Sequence, residues 1–129
     1  MATEIIKLRI RKESSTGENS QRILEKFIKA CKALDCSIIE PLIDDDHYFE
    51  ELDKYRFLAS LREQFDWAID RGAKTIEMKL GRCEMCVIGH PAYEFYGNES
   101  NPEFAYIINT KKGVILDIFL CNASSGRSK

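Results

Sequence analysis

The apolar residues of this chain keep one rhythm before Gly72 and another after it. Between Ser20 and Leu34, the residues Ile23, Leu24, Phe27, Ile28, Cys31 and Leu34 recur at three- and four-residue steps. Arg22, Glu25, Lys26, Lys29 and Lys32 take the other side, so the segment reads as an amphipathic helix. Asn19 or Ser20 stands where a cap belongs. Ile38, Ile39, Leu42 and Ile43 predict a brief second helix with Pro41 in its first turn. Asp44-Asp45-Asp46-His47 ends it, because three adjacent carboxylates repel one another in a helix interior. Leu58, Leu61, Phe65, Ala68 and Ile69 predict a third helix, capped by Asp53 and stopped by Gly72. Trp67 falls at the edge of its apolar face.

Past Gly72 the period is two. Ile76, Met78 and Leu80 alternate with Thr75, Glu77 and Lys79. Further strand-like runs lie at Cys86–Ile88, Ala92–Tyr96, Glu103–Asn109 and Val114–Cys121, with turn chemistry at Gly97-Asn98 and Lys112-Gly113. The last two runs read as a hairpin. Ahead of the first helix, Ile6, Leu8 and Ile10 alternate with Lys7, Arg9 and Arg11, and Ser14–Asn19 forms a loop. Helices and strands are thus segregated along the chain. The expectation is an α+β domain with three helices packed on one face of an antiparallel sheet of about four strands, plus an extra N-terminal edge strand. At 129 residues the chain suits one domain, read as 1–122 with a flexible tail over 123–129.

Charge narrows the function classes. Nineteen basic and 21 acidic residues leave a net charge of -2, without the basic surplus of a nucleic-acid binder. The alternating Lys7, Arg9 and Arg11 mark the wet face of a strand. No run reaches membrane-spanning length, the N-terminus lacks the apolar core of a signal peptide, and five cysteines is an odd number. The expected setting is cytoplasmic, with no membrane and no nucleic-acid partner.

The element order, from the Ser20–Leu34 helix through the acidic exit Asp44-Asp45-Asp46 to the hairpin Phe104–Ile108 and Val114–Ile118 with its Gly113 turn, resembles the nuclear transport factor 2-like (cystatin-like, cone-shaped) superfamily. The resemblance spans roughly residues 20–122. It implies a curved sheet, a pocket between its concave face and the helices, and frequent homodimers, here through the sheet. Members of that superfamily range from dehydratases and isomerases to binding and scaffold proteins, so the fold chooses no activity. No residue of this chain matches a catalytic position of the family.

Three groups carry candidate chemistry. Cys83-Glu84-Met85-Cys86 has a spacing at which two thiolates grip one zinc ion, with Cys121 and His90 as the remaining ligands, although the second Cys-x-x-Cys of a complete site is missing. The competing reading makes these cysteines small core residues. The Asp46-His47 pair at a pocket mouth would suit acid–base work. Tyr93, Phe95 and Tyr106, with His90, would line a ligand pocket, or else Tyr93, Phe95, Tyr96, Phe104, Tyr106 and Phe119 simply build the core. Three functions follow: a non-catalytic ligand-binding or protein-interaction module, which the missing nucleophile–base motif favours; a small-molecule lyase or isomerase; and a zinc-stapled structural domain.

Overall fold

A computed structural model of the chain describes residues 6–82, 91–97 and 102–121, with only the backbone of Leu52 and Arg82. Cys83, Cys86 and His90 lie outside the described residues, as does the Cys86–Ile88 run. Strand β1 (Lys7–Arg9) is followed by α1 (Gly17–Ala33), α2 (Glu40–Ile43) and α3 (Glu51–Asp70), then by β2 (Glu77–Arg82), β3 (Pro91–Tyr96), β4 (Phe104–Lys111) and β5 (Val114–Leu120). The strands form one antiparallel sheet in the order β1-β5-β4-β3-β2. The predicted N-terminal edge strand therefore exists, and it pairs with the last strand.

Capping explains where the helices begin. The cap of α1 is Thr16, whose Oγ1 accepts from the Asn19 backbone N–H at 3.1 Å. Asn19 and Ser20, the caps expected from sequence, lie inside the helix and do other work. Asn19 Nδ2 donates to the Ser14 carbonyl at 3.0 Å, and Ser20 Oγ accepts from Ile115 N–H at 2.8 Å, tying the helix to β5. Helix α3 also starts earlier than expected, with Glu50 at the cap position and no side-chain cap. Asp53 sits in the first turn instead, where its charge suits the helix dipole and lies 3.9 Å from Arg9 Nε.

Both long helices end in the same way. In α1, Asp35 N–H donates to Ala30 O and Leu34 N–H to Cys31 O. In α3, Ala73 N–H donates to Ala68 O and Gly72 N–H to Ile69 O. These are the paired bonds of a Schellman stop, which needs a left-handed residue. Gly72 supplies it with φ +88°, and Leu34 with φ +54°. The β4–β5 turn likewise has Lys112 and Gly113 at φ +54° and +79°, the two-residue turn whose twist matches the strands.

The core lies between the helices and one sheet face. Phe27, Phe57, Phe65, Phe95, Phe104 and Tyr106 are buried there, with Phe27–Tyr106 and Phe95–Phe104 centroids each 5.2 Å apart. The opposite face departs from the one-sided expectation. Ala92, Ala105, Ile107 and Cys121 are buried on it, with Phe119 packed alongside. The reason is visible in β4, whose run Phe104-Ala105-Tyr106-Ile107-Ile108 is continuously apolar and buried throughout. A central strand covered on both faces reads in that way.

Candidate interaction edge

The two edges of the sheet are treated differently. At β1, the chain after the acidic turn comes back alongside. Arg11 N–H donates to Tyr48 O at 2.9 Å, Glu50 N–H to Arg9 O at 3.1 Å, and Ile10 bridges to Phe49. Arg11 Nε adds a bond to Phe49 O at 2.9 Å. That edge is met at its Arg9–Arg11 end. Strand β2, among the described residues, has one neighbour only, β3.

β2 reads Glu77-Met78-Lys79-Leu80-Gly81-Arg82. Its even residues pair across to Phe95 and Tyr93, on the helix side, and its odd residues to Tyr96, Glu94 and Ala92 on the far side. Leu80 is 64% exposed, the most exposed large apolar side chain described. Lys79 Nζ lies 4.8 Å from the centre of the Tyr96 ring, a cation–π contact. Tyr96 donates its hydroxyl hydrogen to Glu94 Oε1 at 3.1 Å, and burial first, then that carboxylate, raises the Tyr96 pKa. Gly81 lies against the same carboxylate: a Cβ there would meet Glu94 Oε1 at 2.9 Å, and the Glu94 side chain would have to swing away to admit it.

Among the described residues singled out from sequence, Tyr93, Phe95 and Tyr106 share the helix-side face of the sheet, with Tyr93 opposite Tyr106, while Asp46 and His47 lie in the turn before α3. Phe95 and Tyr106 are core residues, and Tyr93 is half-buried against that core. Asp46 and His47 are exposed in the turn before α3. Asp46 is held by Lys54, whose side chain is buried and whose ammonium also lies 5.1 Å from the Tyr55 ring. The Lys54 bond and charge hold Asp46 below the usual carboxylate range and raise Lys54 in turn. Asp45 Oδ1 accepts from His47 N–H at 2.9 Å, and the His47 carbonyl accepts from Ser14 Oγ, so the turn is organised by its own backbone.

Of the proposed zinc ligands only Cys121 is described, and it is buried against Ala92, Ala105 and Ile107. No group of three or more metal-ligating side chains occurs among the described residues. Cys31 and Cys36 are free thiols. Burial pushes Cys31 up well above the usual thiol range, with Cys36 adding to it. Burial likewise pushes Cys36 to about 11 against the pull of Arg62, so both stay protonated near neutrality. Cys36 opens on a groove of about 330 Å³ lined by Asp35, Glu40, Arg62 and Phe65, where Arg62 pairs with Glu40.

Sequence reasoning passed over β2 as a binding element because its alternation looks like any half-buried strand. The signal was the last step of that alternation, a leucine next to a glycine. No helix among the described residues is long and apolar enough to cross a membrane. No family model, curated protein or solved structure matches the chain.

Proposed function

We propose that this chain is a non-catalytic interaction module that takes up an extended partner segment along β2. The observation that carries this reading is the β2 edge, which has no neighbour beyond β3 among the described residues and shows Leu80 at 64% exposure, set against a β1 edge that residues 48–50 meet at Arg9–Arg11. An unpaired strand edge presents backbone donors and acceptors that recruit another strand, and natural sheets normally blunt such an edge. Backbone pairing would supply affinity, and the alternating Met78/Leu80 and Glu77/Lys79 faces would supply selectivity. The likeness to nuclear transport factor 2-like proteins belongs to this proposal, supported by the order of helices and meander. So does a cytoplasmic setting, supported by the free thiols of Cys31 and Cys36.

A library of displayed seven-residue peptides panned against the purified chain tests this. Selected peptides should alternate apolar and charged positions. They should lose about tenfold or more in affinity for a Leu80→Lys variant, since an edge charge is the usual device against strand addition. Peptides that bind this variant as well as the parent, with its melting temperature unchanged, would defeat the proposal, as would a panning that yields none.

A further inference from the structure

We infer that the segment taken up by β2 carries a basic, an acidic and a basic residue at alternate positions, with apolar residues between them. The inference rests on the reading that β2 accepts a strand, and it gives that strand its chemistry.

Three charges line this edge on the side of the sheet away from the helices. Glu77 and Lys79 are exposed there. The third charge comes from β3. Glu94 lies directly across from Lys79, yet its carboxylate leans along the sheet to Gly81. Lys79 turns the opposite way, with its ammonium over the Tyr96 ring. The Tyr96 hydroxyl donates to Glu94 Oε1 at 3.1 Å and holds the carboxylate in that place. Gly81 has no side chain to stand between the carboxylate and a neighbouring strand. Read along the edge, the series is negative at Glu77, positive at Lys79 and negative at Gly81.

Residues opposite one another on paired strands share a face, where unlike charges attract and like charges repel. A strand laid along β2 answers this series with a basic residue opposite Glu77, an acidic one opposite Lys79 and a basic one opposite Gly81. At the last position the bare glycine lets a lysine or arginine reach across to Glu94. The two residues in between fall opposite Met78 and Leu80, where apolar side chains would cover the exposed Leu80. The series reads the same in both directions, so it holds for a parallel or an antiparallel partner. On that side β2 itself runs acidic, basic, glycine, so a second copy does not supply it.

Two seven-residue peptides, Thr-Lys-Val-Glu-Val-Lys-Thr and its charge reversal Thr-Glu-Val-Lys-Val-Glu-Thr, are titrated against the full chain by fluorescence anisotropy. The first should bind about tenfold or more tighter than the second. Glu94→Lys should cut that preference severalfold. Gly81→Ala should do so too, because its methyl displaces the Glu94 carboxylate while the net charge of the chain stays the same. Leu80→Lys should weaken both peptides, and melting temperatures show that each variant is folded. Equal binding of the two peptides overturns the inference, as does a preference that Glu94→Lys and Gly81→Ala leave intact. Strand docking still stands in either case if Leu80→Lys weakens both. Failure of both peptides to bind at about 1 mM also overturns the inference; the panned library then decides strand docking by itself. A chain that self-associates unless Leu80 is changed to lysine, and binds neither peptide, puts a second copy at the edge and overturns it as well.

Discussion

Asp46 shows how one residue changes role between sequence and fold. Read along the chain it belongs to an acidic cluster beside a histidine, a plausible acid–base pair. In the fold it anchors the buried side chain of Lys54 and fixes the turn that meets β1. Its folded pKa lies below the ordinary 3.8, so its contribution to stability is full above that value and is lost as pH falls through the lower folded one. Lys54 is shifted upward from 10.5, so its contribution is full below that value and is lost as pH rises through the higher folded one. Asp46→Asn should therefore lower the urea midpoint by a constant amount between about pH 5 and pH 10, and the difference should shrink below pH 3.8. Midpoints measured against pH check this; a difference that persists unchanged in acid means the pair is not what Asp46 contributes. The sequence shows the charges but not their partner, because Lys54 is eight residues away and on another element.

Among the elements, the β4–β5 hairpin is the part most fully written in the sequence. Lys112-Gly113 between two apolar runs predicted the turn, and Lys111 pairs with Val114 across it. Its first residue is nonetheless a lysine at φ +54°, a conformation asparagine tolerates better. Lys112→Asn should raise stability by roughly 0.5 kcal/mol, seen as a small rise in melting temperature. No rise, or a fall, would mean that Lys112 makes a compensating contact. The helix starts were harder to read. Thr16 outcompeted Asn19 and Ser20 as a cap because both were drawn into tertiary bonds, one of them to Ile115 far along the chain. Local preference sees only neighbours in sequence, and these bonds are not local.

At the scale of the whole molecule, the change of period at Gly72 foretold an α+β fold with its helices packed against one sheet. It did not foretell the buried patch around Ala105 and Ile107 on the other face, because a period of two implies a half-buried sheet and only the continuous apolar run of β4 departs from it. That patch on the far face can be checked. Ala105 is fully buried on it, so Ala105→Asp should destabilise the protein by about 3 kcal/mol or more, as an unpaired buried charge does. A one-sided sheet would accept the same change with little loss in a thermal or urea melt. The pairing of β1 with β5, with Lys7 opposite Phe119, also has a consequence in time. A ribosome delivers the first strand more than a hundred residues ahead of β5, its strand partner among the described residues. Until β5 has been made, that strand has no sheet ladder to join. The nascent chain would carry this early strand apart from any sheet until β5 arrives to take it in.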